Sequence, residues 1–466
     1  MKTDGLNKWI KEWYDLYEDE LKTMMHDIWA HPETGLDNKY AAEIAAAFAR
    51  THGFPDALLM RAGQGIQPSD NPNTVFATYG SGKPVIAIVG ELDALPQLGN
   101  EAVPERAAIA GPGHGCGHNL IAGSCMGAAC ALRYAMEKEG VQGTLKLVEA
   151  PGEEVGRGKS LLAFDGMWKD CDLCIMWHPG TDGFNAEPQL GLVIMAAKFE
   201  FFGKSAHAAG APWNGRSSLD AVQLMNMGVE FLREHVPTTD RIHYQITDGG
   251  GAPNIVPDYA AVKYFCRGAS TEDAKDLFER VCLCADGAAL MTGTKAEYGL
   301  IFQIPYFYVN VPLGEHLAKV SQQIPDVDYT DEEYAWAKKL YESYFEKEAP
   351  ADKDELLPPS KKTFEGIDPE LTCTDAADMS YFCPTAHMHG GGMLAGTPGH
   401  HWTITACSGT EIGMKAAVRA GKVLAEGAFE AFGDEELIQK CWDDFKRQNI
   451  PTYEELYDLP LKPEAF

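Results

Sequence analysis

The sequence predicts an α/β protein with a mostly parallel sheet in its larger domain and an inserted ferredoxin-like α+β domain. Strands, loops and helices alternate through the first 190 residues, as they do in parallel sheets. A β-α-β-β-α-β succession follows near Gly191. A chain of 466 residues also exceeds what one hydrophobic core usually organises. We therefore expect residues 1–191 and 313–466 to form one discontinuous domain around an insertion at 192–312.

The elements of the larger domain follow from periodicity. The amphipathic pattern predicts helices over 7–31 and 38–52, and small apolar residues predict another over 119–138. Residues 85–96 are typical of a buried strand that breaks into a loop at Asp93, and the runs TLKLVEAP and DLCIMWH predict two further strands. GTEIGMKAAVRAGKVLAEGAFEAF predicts a long amphipathic helix. We expect the polar tail, 433–466, to cover the surface.

The insertion has its own alternation. We predict, in order, a strand, a helix, two strands around a Gly/Pro/Asn break, and a second helix. The corresponding segments are LVIMAAKFEFFGKSAHAA, DAVQLMNMGVEFLREHV, RIHYQITDGGGAPNIVPDYAAVKYFCRGAS and TEDAKDLFERVCLCADGAALMT. The acidic stretch 315–362 predicts a surface helical excursion, and the sequence assigns it no role. TDAADMS marks the return to the larger domain.

Charge and composition exclude several classes of protein. A net charge of −29 argues against nucleic acids and anionic membranes as partners. The amino terminus lacks the apolar core of a signal peptide, and no apolar run is long enough to span a bilayer, so we expect a cytoplasmic location. The pair Cys171 and Cys174 forms a C-x-x-C, but no second C-x-x-C accompanies it as in structural zinc sites.

Thiol, imidazole and carboxylate groups follow successive predicted strands. Glu153 and Glu154 come directly after a strand that ends in Pro-Gly, Cys116 and His118 lie upstream in GHGCGHNL, and His178 ends the next strand. If the segment around Cys116 is extended, the alternation of side chains places Cys116 and His118 on one side. These are the ligands of a metal-assisted hydrolase. Adjacent glutamates allow one to hold metal while the other transfers a proton.

Three further residues complete the predicted site. Glu153 is the candidate general base, since a carboxylate beside a metal-activated water can take its proton and pass it to a leaving amine. GTPGHHW offers His400 or His401 as a late ligand. Asp93 is placed to hydrogen-bond a ligand histidine and fix its tautomer; a loop or helix-cap hydrogen bond is the alternative.

Together these segments resemble the aminoacylase/carboxypeptidase family of dinuclear metallohydrolases, in the branch that uses a bridging cysteine. The resemblance covers about residues 10–430 and is carried by GHGCGHNL, the P-x-EE segment, WHP, AHAA, GRSSLDAV, PNIV, TDAADMS and TPGHHW. It implies a catalytic larger domain and an inserted lid and dimerisation domain. It also implies the ligands Cys116, His118, Glu154, His178 and His400, with Glu153 as base. Glu91 departs from the family, which commonly has histidine there.

The resemblance also implies roles within the insertion. His207 would cross a dimer interface to polarise the scissile carbonyl in the partner's site. Asn254 and Arg267 match substrate-contact positions, with Arg267 suited to a carboxylate. Arg216 is a weaker substrate candidate that instead stabilises the lid domain in the alternative interpretation.

The resulting hypothesis is an amidohydrolase of N-acyl or N-aroyl amino acids with two divalent metal ions, zinc or manganese, in each subunit. A homodimer formed through the lid domain is expected, and a related second subunit is an alternative assembly. Two functional alternatives are a dipeptidase of narrow specificity and a non-catalytic regulatory subunit of the same fold. A redox protein that uses Cys171 and Cys174 lacks a flavin or nicotinamide fingerprint.

Overall fold

The computed structural model describes residues 2–185, 189–361, 368–369 and 373–457. The chain divides into two compact units. The first contains the described residues of 2–190, 308–369 and 378–450, and the second contains those of 191–307, 373–377 and 451–457. Each unit is described by itself below.

Strands and helices alternate in the first unit. Its strands are β1 (Lys2–Thr3), β2 (Leu6–Asn7), β3 (Leu58–Met60), β4 (Thr74–Ser81), β5 (Val85–Glu91), β6 (Gly143–Ala150), β7 (Leu173–Gly180), β8 (Gln189–Leu190), β13 (Asp368–Pro369) and β14 (Thr385–Gly392). Its helices are α1 (Lys8–Ala30), α2 (Lys39–His52), α3 (His118–Glu139), α4 (Gly158–Phe164), α7 (Val311–Gln323), α8 (Asp331–Phe345), α9 (Trp402–Ser408), α10 (Glu411–Phe432) and α11 (Glu435–Arg447).

The main sheet of the first unit has the strand order β14-β7-β5-β6-β4-β3 within the described residues. β14, β7, β5 and β6 run parallel, and β4 and β3 are antiparallel to their neighbours. Every residue of β5 is buried, as expected for a strand covered on both faces. The predicted mostly parallel sheet is confirmed, and its parallel strands direct their carboxyl ends to one edge.

Small residues on α3 allow neighbouring helices to approach closely. A Cβ atom on Gly123 would lie 2.2 Å from Cγ of Met25 in α1, and one on Gly421 in α10 would lie 2.8 Å from the carbonyl oxygen of Ser124. α1 and α10 both pack against α3. The predicted helices over 7–31 and 119–138 therefore belong to one layer on the sheet.

The expected surface excursion over 315–362 is only partly a surface element. Leu313 and Leu317 of α7 are buried in the main hydrophobic core, and so is Leu340 of α8. Arg419 of α10 donates hydrogen bonds to the carbonyl oxygens of Ser321, Ile324 and Pro325 at the carboxyl end of α7. The apolar face of α7 is thus part of the fold, which the acidic composition of this stretch concealed. Residue 362 lies outside the described residues.

The second unit contains β9 (Val193–Phe202), α5 (Ser218–Leu232), β10 (Arg241–Asp248), β11 (Tyr259–Gly268), α6 (Thr271–Thr292) and β12 (Lys295–Ile304). Its antiparallel sheet has the order β10-β11-β9-β12, which is the ferredoxin-like arrangement. Helices α5 and α6 pack against the sheet and bury Phe199, Val222 and Val281. Among the described residues, no helix is long and apolar enough to cross a membrane.

Candidate metal centre

Successive parallel strands deliver the acidic and imidazole groups of the site. Asp93 follows β5, Glu153 and Glu154 follow β6, and His178 lies near the carboxyl end of β7. The carboxyl ends of neighbouring parallel strands lie at one edge of a sheet, and ligand sites form there. The strand order therefore explains why residues far apart in sequence meet.

Cys116 and His118 reach this edge from a turn, and the extended geometry predicted for them is wrong. His118 is the first residue of α3, and Gly117 before it has a φ of +79°, which favours glycine. A Cβ atom on Gly117 would lie 2.8 Å from Cγ of Pro179. The turn still brings the two side chains together, since one donor atom from each of Cys116, His118 and His178 lies within 4.8 Å of the others.

The predicted ligands form two further sets of neighbouring donor atoms. Cys116, Glu154 and His400 form one set, and His118, Glu153 and Glu154 form another, each with donor atoms within 4.8 Å. Sγ of Cys116 lies 3.2 Å from Nε2 of His178, and Nε2 of His400 lies 3.4 Å from Oε2 of Glu154. The three overlapping sets share members, as the ligands of two neighbouring ions would.

Asp93 orients both a histidine and the glutamate loop. Its Oδ1 atom lies 3.3 Å from Nδ1 of His118, and a ring proton on Nδ1 would leave Nε2 to hold a metal ion. The same carboxylate accepts hydrogen bonds from the backbone N–H groups of Glu153 at 3.0 Å and Glu154 at 3.1 Å. Asp93 therefore fixes three candidate site residues at once.

The remaining histidines also have defined orientations. Nδ1 of His178 lies 2.7 Å from the carbonyl oxygen of Pro179, so Nε2 faces Cys116. Burial lowers the pKa of His178 to about 4, which keeps the ring neutral as a ligand must be. His401 is the N-cap of α9 and accepts from the N–H of Thr403. His400, which has a φ of +53°, is the histidine that lies beside Glu154.

The donor set fits divalent cations. Nε2 of His118 and Oε1 of Glu154 are buried 3.7 Å apart, and no hydrogen-bond donor among the described residues satisfies either atom. Burial raises the pKa of Glu154 to about 7, and Asp93 adds to the increase. Burial alone would lower the pKa of His118, but Cys116 and Glu91 raise it well above its usual range, and a metal cation bound there would replace the proton that these groups favour. Buried anions around an unsatisfied imidazole nitrogen form a cation site.

Two groups that sequence reasoning did not place lie against this cluster. Nζ of Lys159 in α4 lies 2.6 Å from Oε1 of Glu91, and both side chains are buried. Oε2 of Glu91 lies 3.4 Å from Nε2 of His118. The position of Glu91 two residues before Asp93 was a usable signal, whereas nothing local to GRGKS indicated that Lys159 would be its partner.

A histidine pair on β14 was also missed. The ring of His389 stacks on that of His178 with centroids 5.7 Å apart, and its Nε2 lies 3.2 Å from Nδ1 of His387. Burial lowers the pKa of both His387 and His389 well below the usual range. The H-x-H spacing in TAHMHGG indicates a shared face of a strand, which was the available signal.

The four predicted residues of the insertion lie in the second unit. His207 is exposed, and its Nδ1 accepts hydrogen bonds from the N–H groups of Ala209 and Gly210. Its loop adjoins that of Asn254, whose carbonyl oxygen accepts from the N–H of Ala208.

The two arginines of this group differ in their surroundings. Arg216 is exposed and donates to the carbonyl oxygen of Gly215. Arg267 is half-buried on β11, with Nη1 3.1 Å from Sγ of Cys373. Among the described residues, neither arginine forms an ion pair with a carboxylate.

A mostly parallel α/β sheet whose carboxyl edge gathers thiol, imidazole and carboxylate groups defines a metal-dependent hydrolase. Residues 87–351 match the model of Peptidase family M20/M25/M40, and the chain belongs to this family. It is accordingly a hydrolytic enzyme that acts on amide bonds.

Relatives extend the match over most of the chain. One of the p-aminobenzoyl-glutamate hydrolase subunits of Escherichia coli is 32% identical over 446 residues, which cover 90% of each chain. A Xaa-Arg dipeptidase of Mus musculus is 27% identical over 457 residues, 95% of this chain and 92% of the relative. Among solved structures, a dinuclear metal-binding M20 peptidase of Bacillus subtilis has the same fold, with a TM-score of 0.57 and 16% identity over 90% of this chain and 99% of its own.

Proposed function

We propose that this chain hydrolyses the amide bond between an acyl or aroyl group and an amino acid with a free carboxylate, with p-aminobenzoyl-glutamate or a close analogue as substrate. The observation that carries the proposal is the position of Glu153 in the cluster. Its side chain is 12% exposed, against 7% for Glu154 and 1% for Glu91, and its Oε2 lies 4.0 Å from Nε2 of His118. Glu153 is thus the carboxylate of the three that is most open to water and substrate.

The remaining roles follow from the donor geometry. Cys116, His118, Glu154, His178 and His400 would hold two divalent ions, with zinc favoured by thiolate and imidazole and manganese by the carboxylates. When bound, such ions would supply Lewis-acid chemistry to the amide carbonyl and lower the pKa of a water molecule. Glu153 accepts the proton from that water and delivers it to the nitrogen of the leaving amino acid. Asp93 holds His118 and the Glu153–Glu154 backbone in place during both transfers.

Residues of the insertion would recognise the rest of the substrate. We assign the α-carboxylate to Arg267, because its guanidinium pairs with no carboxylate among the residues described for its unit, which leaves its fork of donors available. Asn254 and the exposed His207 would contact the scissile carbonyl, with His207 contributed by a partner subunit. Arg216 is a weaker contact, since its guanidinium already bonds within its own loop.

A homodimer through the second unit is part of this proposal. Leu224, Met227 and Phe231 on α5 are exposed, and so are Leu283, Leu290 and Met291 on the adjacent α6. Within the described part of the chain, β10 lies at an edge of its sheet, with no strand paired on its outer side. An apolar helix pair beside an open edge is suited to a symmetric interface with a second copy.

A related second subunit is the alternative assembly, since the relative from Escherichia coli is named as one of two subunits of its hydrolase. A cytoplasmic location stays a prediction from the sequence.

Amine release from a panel of N-acyl amino acids and dipeptides tests the proposed reaction. The panel includes p-aminobenzoyl-glutamate and Xaa-Arg dipeptides, each assayed with zinc, with manganese and with chelator. Chelator-sensitive release of glutamate from p-aminobenzoyl-glutamate is the expected result. Release from Xaa-Arg dipeptides alone would instead favour the dipeptidase, the second candidate, which the relative from Mus musculus supports. No release from a metal-loaded protein would favour a non-catalytic subunit.

A further inference from the structure

Three thiols meet at the end of the sheet opposite the metal centre. Cys171 lies in the turn before β7, Cys174 is the second residue of β7, and Cys383 lies two residues before β14. The strands are held together there by a hydrogen bond from the N–H of Cys174 to the carbonyl oxygen of Pro384 at 3.0 Å. This cluster is remote from the candidate metal ligands because the parallel strands carry those ligands at their carboxyl ends.

Two sulfur atoms of the cluster are in contact, and the third is close in sequence. Sγ of Cys174 lies 3.4 Å from Sγ of Cys383, and Cys171 lies three residues before Cys174 in the chain. A disulfide requires about 2.0 Å between sulfurs, so side-chain rotation alone has little distance to close. The C-x-x-C singled out in the sequence therefore gains a third thiol from more than 200 residues later in the chain. Cys174 occupies the centre and can pair with either neighbour.

A lysine contacts the same carbonyl group as one of these thiols. Sγ of Cys171 bonds to the carbonyl oxygen of Met167 at 3.8 Å. The thiol of Cys171 has an ammonium group beside it, because Lys146 reaches this turn and bonds to the carbonyl oxygen of Met167 and to Asp170. A hydrogen bond from Cys174 lowers the pKa of Cys171, and Lys146 lowers it further. Burial raises the pKa of Cys174 and Cys383.

The three thiols are therefore chemically unequal. The thiolate is the reactive form of cysteine, and a positive neighbour stabilises it. Cys171 is only 3% exposed, yet the side chain of Asp170, one residue earlier, is 61% exposed, so Cys171 lies directly beneath the surface. Cys174 and Cys383 lie deeper and are fully buried. A small oxidant that enters at the turn meets Cys171 before the two deeper thiols.

We propose that Cys171, Cys174 and Cys383 form a redox-modification site that reacts with hydroperoxides. The Cys171 thiolate attacks the outer oxygen of hydrogen peroxide, the O–O bond breaks, and sulfenic acid and water are formed once the leaving hydroxide takes a proton. The thiol of Cys174 then attacks the Cys171 sulfur, which gives a Cys171–Cys174 disulfide and a second water. Cys383 attacks Cys174 in turn, which forms the Cys174–Cys383 disulfide and returns Cys171 to a thiol.

Peptide mass spectrometry of the metal-loaded protein tests this proposal. The protein is treated with hydrogen peroxide, alkylated and digested, and the oxidation state of each cysteine is followed in time. Cys284 is the matched control, since it is more exposed than Cys171 but burial raises the pKa of its thiol. We expect a disulfide that includes Cys174 to form at least about tenfold faster than oxidation of Cys284, because Cys171 has a cationic neighbour and thiol partners nearby, whereas burial raises the pKa of Cys284.

Two variants keep the test decisive. Cys383→Ser is expected to stop the series of reactions at the Cys171–Cys174 disulfide. Lys146→Met, which keeps all three thiols, is expected to slow disulfide formation about tenfold without changing the oxidation of Cys284. The proposal is overturned if Cys284 oxidises before Cys171, if Cys171 proceeds to sulfinic acid without a disulfide, or if Lys146→Met leaves the rate unchanged.

Discussion

The carboxylate of Asp93 contacts Nδ1 of His118 at 3.3 Å, and this contact decides which ring nitrogen faces the metal centre. Because Asp93 also accepts the backbone N–H groups of Glu153 and Glu154, the histidine and the glutamate loop share one anchor. The orientation of the ligands and that of the candidate base are therefore coupled through a single residue outside the proposed ligand set.

Glu153→Ala is expected to abolish most turnover while the metal content stays unchanged. A positioned general base contributes about 10²- to 10⁴-fold to the rate, and Glu153 is proposed to transfer protons without holding metal. Metal analysis and amine release on the same sample measure the two effects. Glu137→Ala is the control, since Glu137 is half-exposed and pairs with Arg133 on α3. A variant with unchanged turnover would contradict the assigned base.

Cys116→Ala is expected to lower metal affinity by more than about 100-fold, because groups that only support a ligand already contribute 10- to 100-fold. Titration of the metal-free protein with zinc, followed by a competing chelator dye, measures the affinity. Cys284→Ala is the matched control, as Cys284 lies in the second unit on α6. Equal affinities in the two variants would remove Cys116 from the ligand set.

Lys159→Met is expected to destabilise the fold by about 3–5 kcal/mol, since it leaves the buried carboxylate of Glu91 without its cation. Combining it with Glu91→Gln restores part of the loss, because the buried charge is then gone as well. Urea denaturation measures both free energies of unfolding. Lys11→Met removes an exposed pair with Asp15 and is expected to cost less than about 1 kcal/mol.

Glu149→Gln is expected to flatten the decline of stability with rising pH. Burial raises the pKa of Glu149 well above its ordinary value, so the folded protein keeps a proton that the unfolded chain releases above pH 4.5. The contribution of Glu149 to the free energy of unfolding is fully present below that pH. It then falls by about 1.4 kcal/mol per pH unit as the pH rises towards the pKa of Glu149 in the folded protein. Urea denaturation across this window, in wild type and variant, gives the difference in slope. Parallel profiles would show that Glu149 is ionised in the fold.

Phe231→Glu combined with Leu290→Glu is expected to convert the proposed homodimer to a monomer. Both side chains are exposed in the second unit, 70% and 85% respectively, and a buried unpaired carboxylate opposes association. Light scattering after size-exclusion chromatography gives the mass. Leu16→Glu, an equally apolar exposed position in the first unit, is the control and is expected to leave the mass unchanged.

Local patterns were sufficient for β5, β6 and β7, for the inserted β-α-β-β-α-β unit and for the candidate donors that follow these strands, but they did not indicate β3, β4 or β14. They were insufficient wherever a partner comes from a distant element. The pairing of Lys159 with Glu91 and the stacking of His389 on His178 depend on strand order and register, which no short segment encodes. The turn at Gly117 was misread because alternation describes extended strands, although the turn also brings the side chains of Cys116 and His118 together.

The helix α7 shows a different limit. Its neighbours in sequence are acidic and polar, so composition averaged over 315–362 indicated a solvent-exposed segment. The apolar positions Leu313, Leu317 and Val320 recur at helical spacing and are buried in the main core. Periodicity within one helix was the correct signal, and averaging over a longer window removed it.

Because the first unit is discontinuous in sequence, its proposed metal ligands are synthesised at different times. Cys116, His118, Glu154 and His178 leave the ribosome early, whereas β14 and His400 follow only after the second unit has been synthesised. An incomplete chain thus offers a smaller set of the proposed donors. If those residues hold the metal ions as proposed, stable loading would wait for completion of the chain.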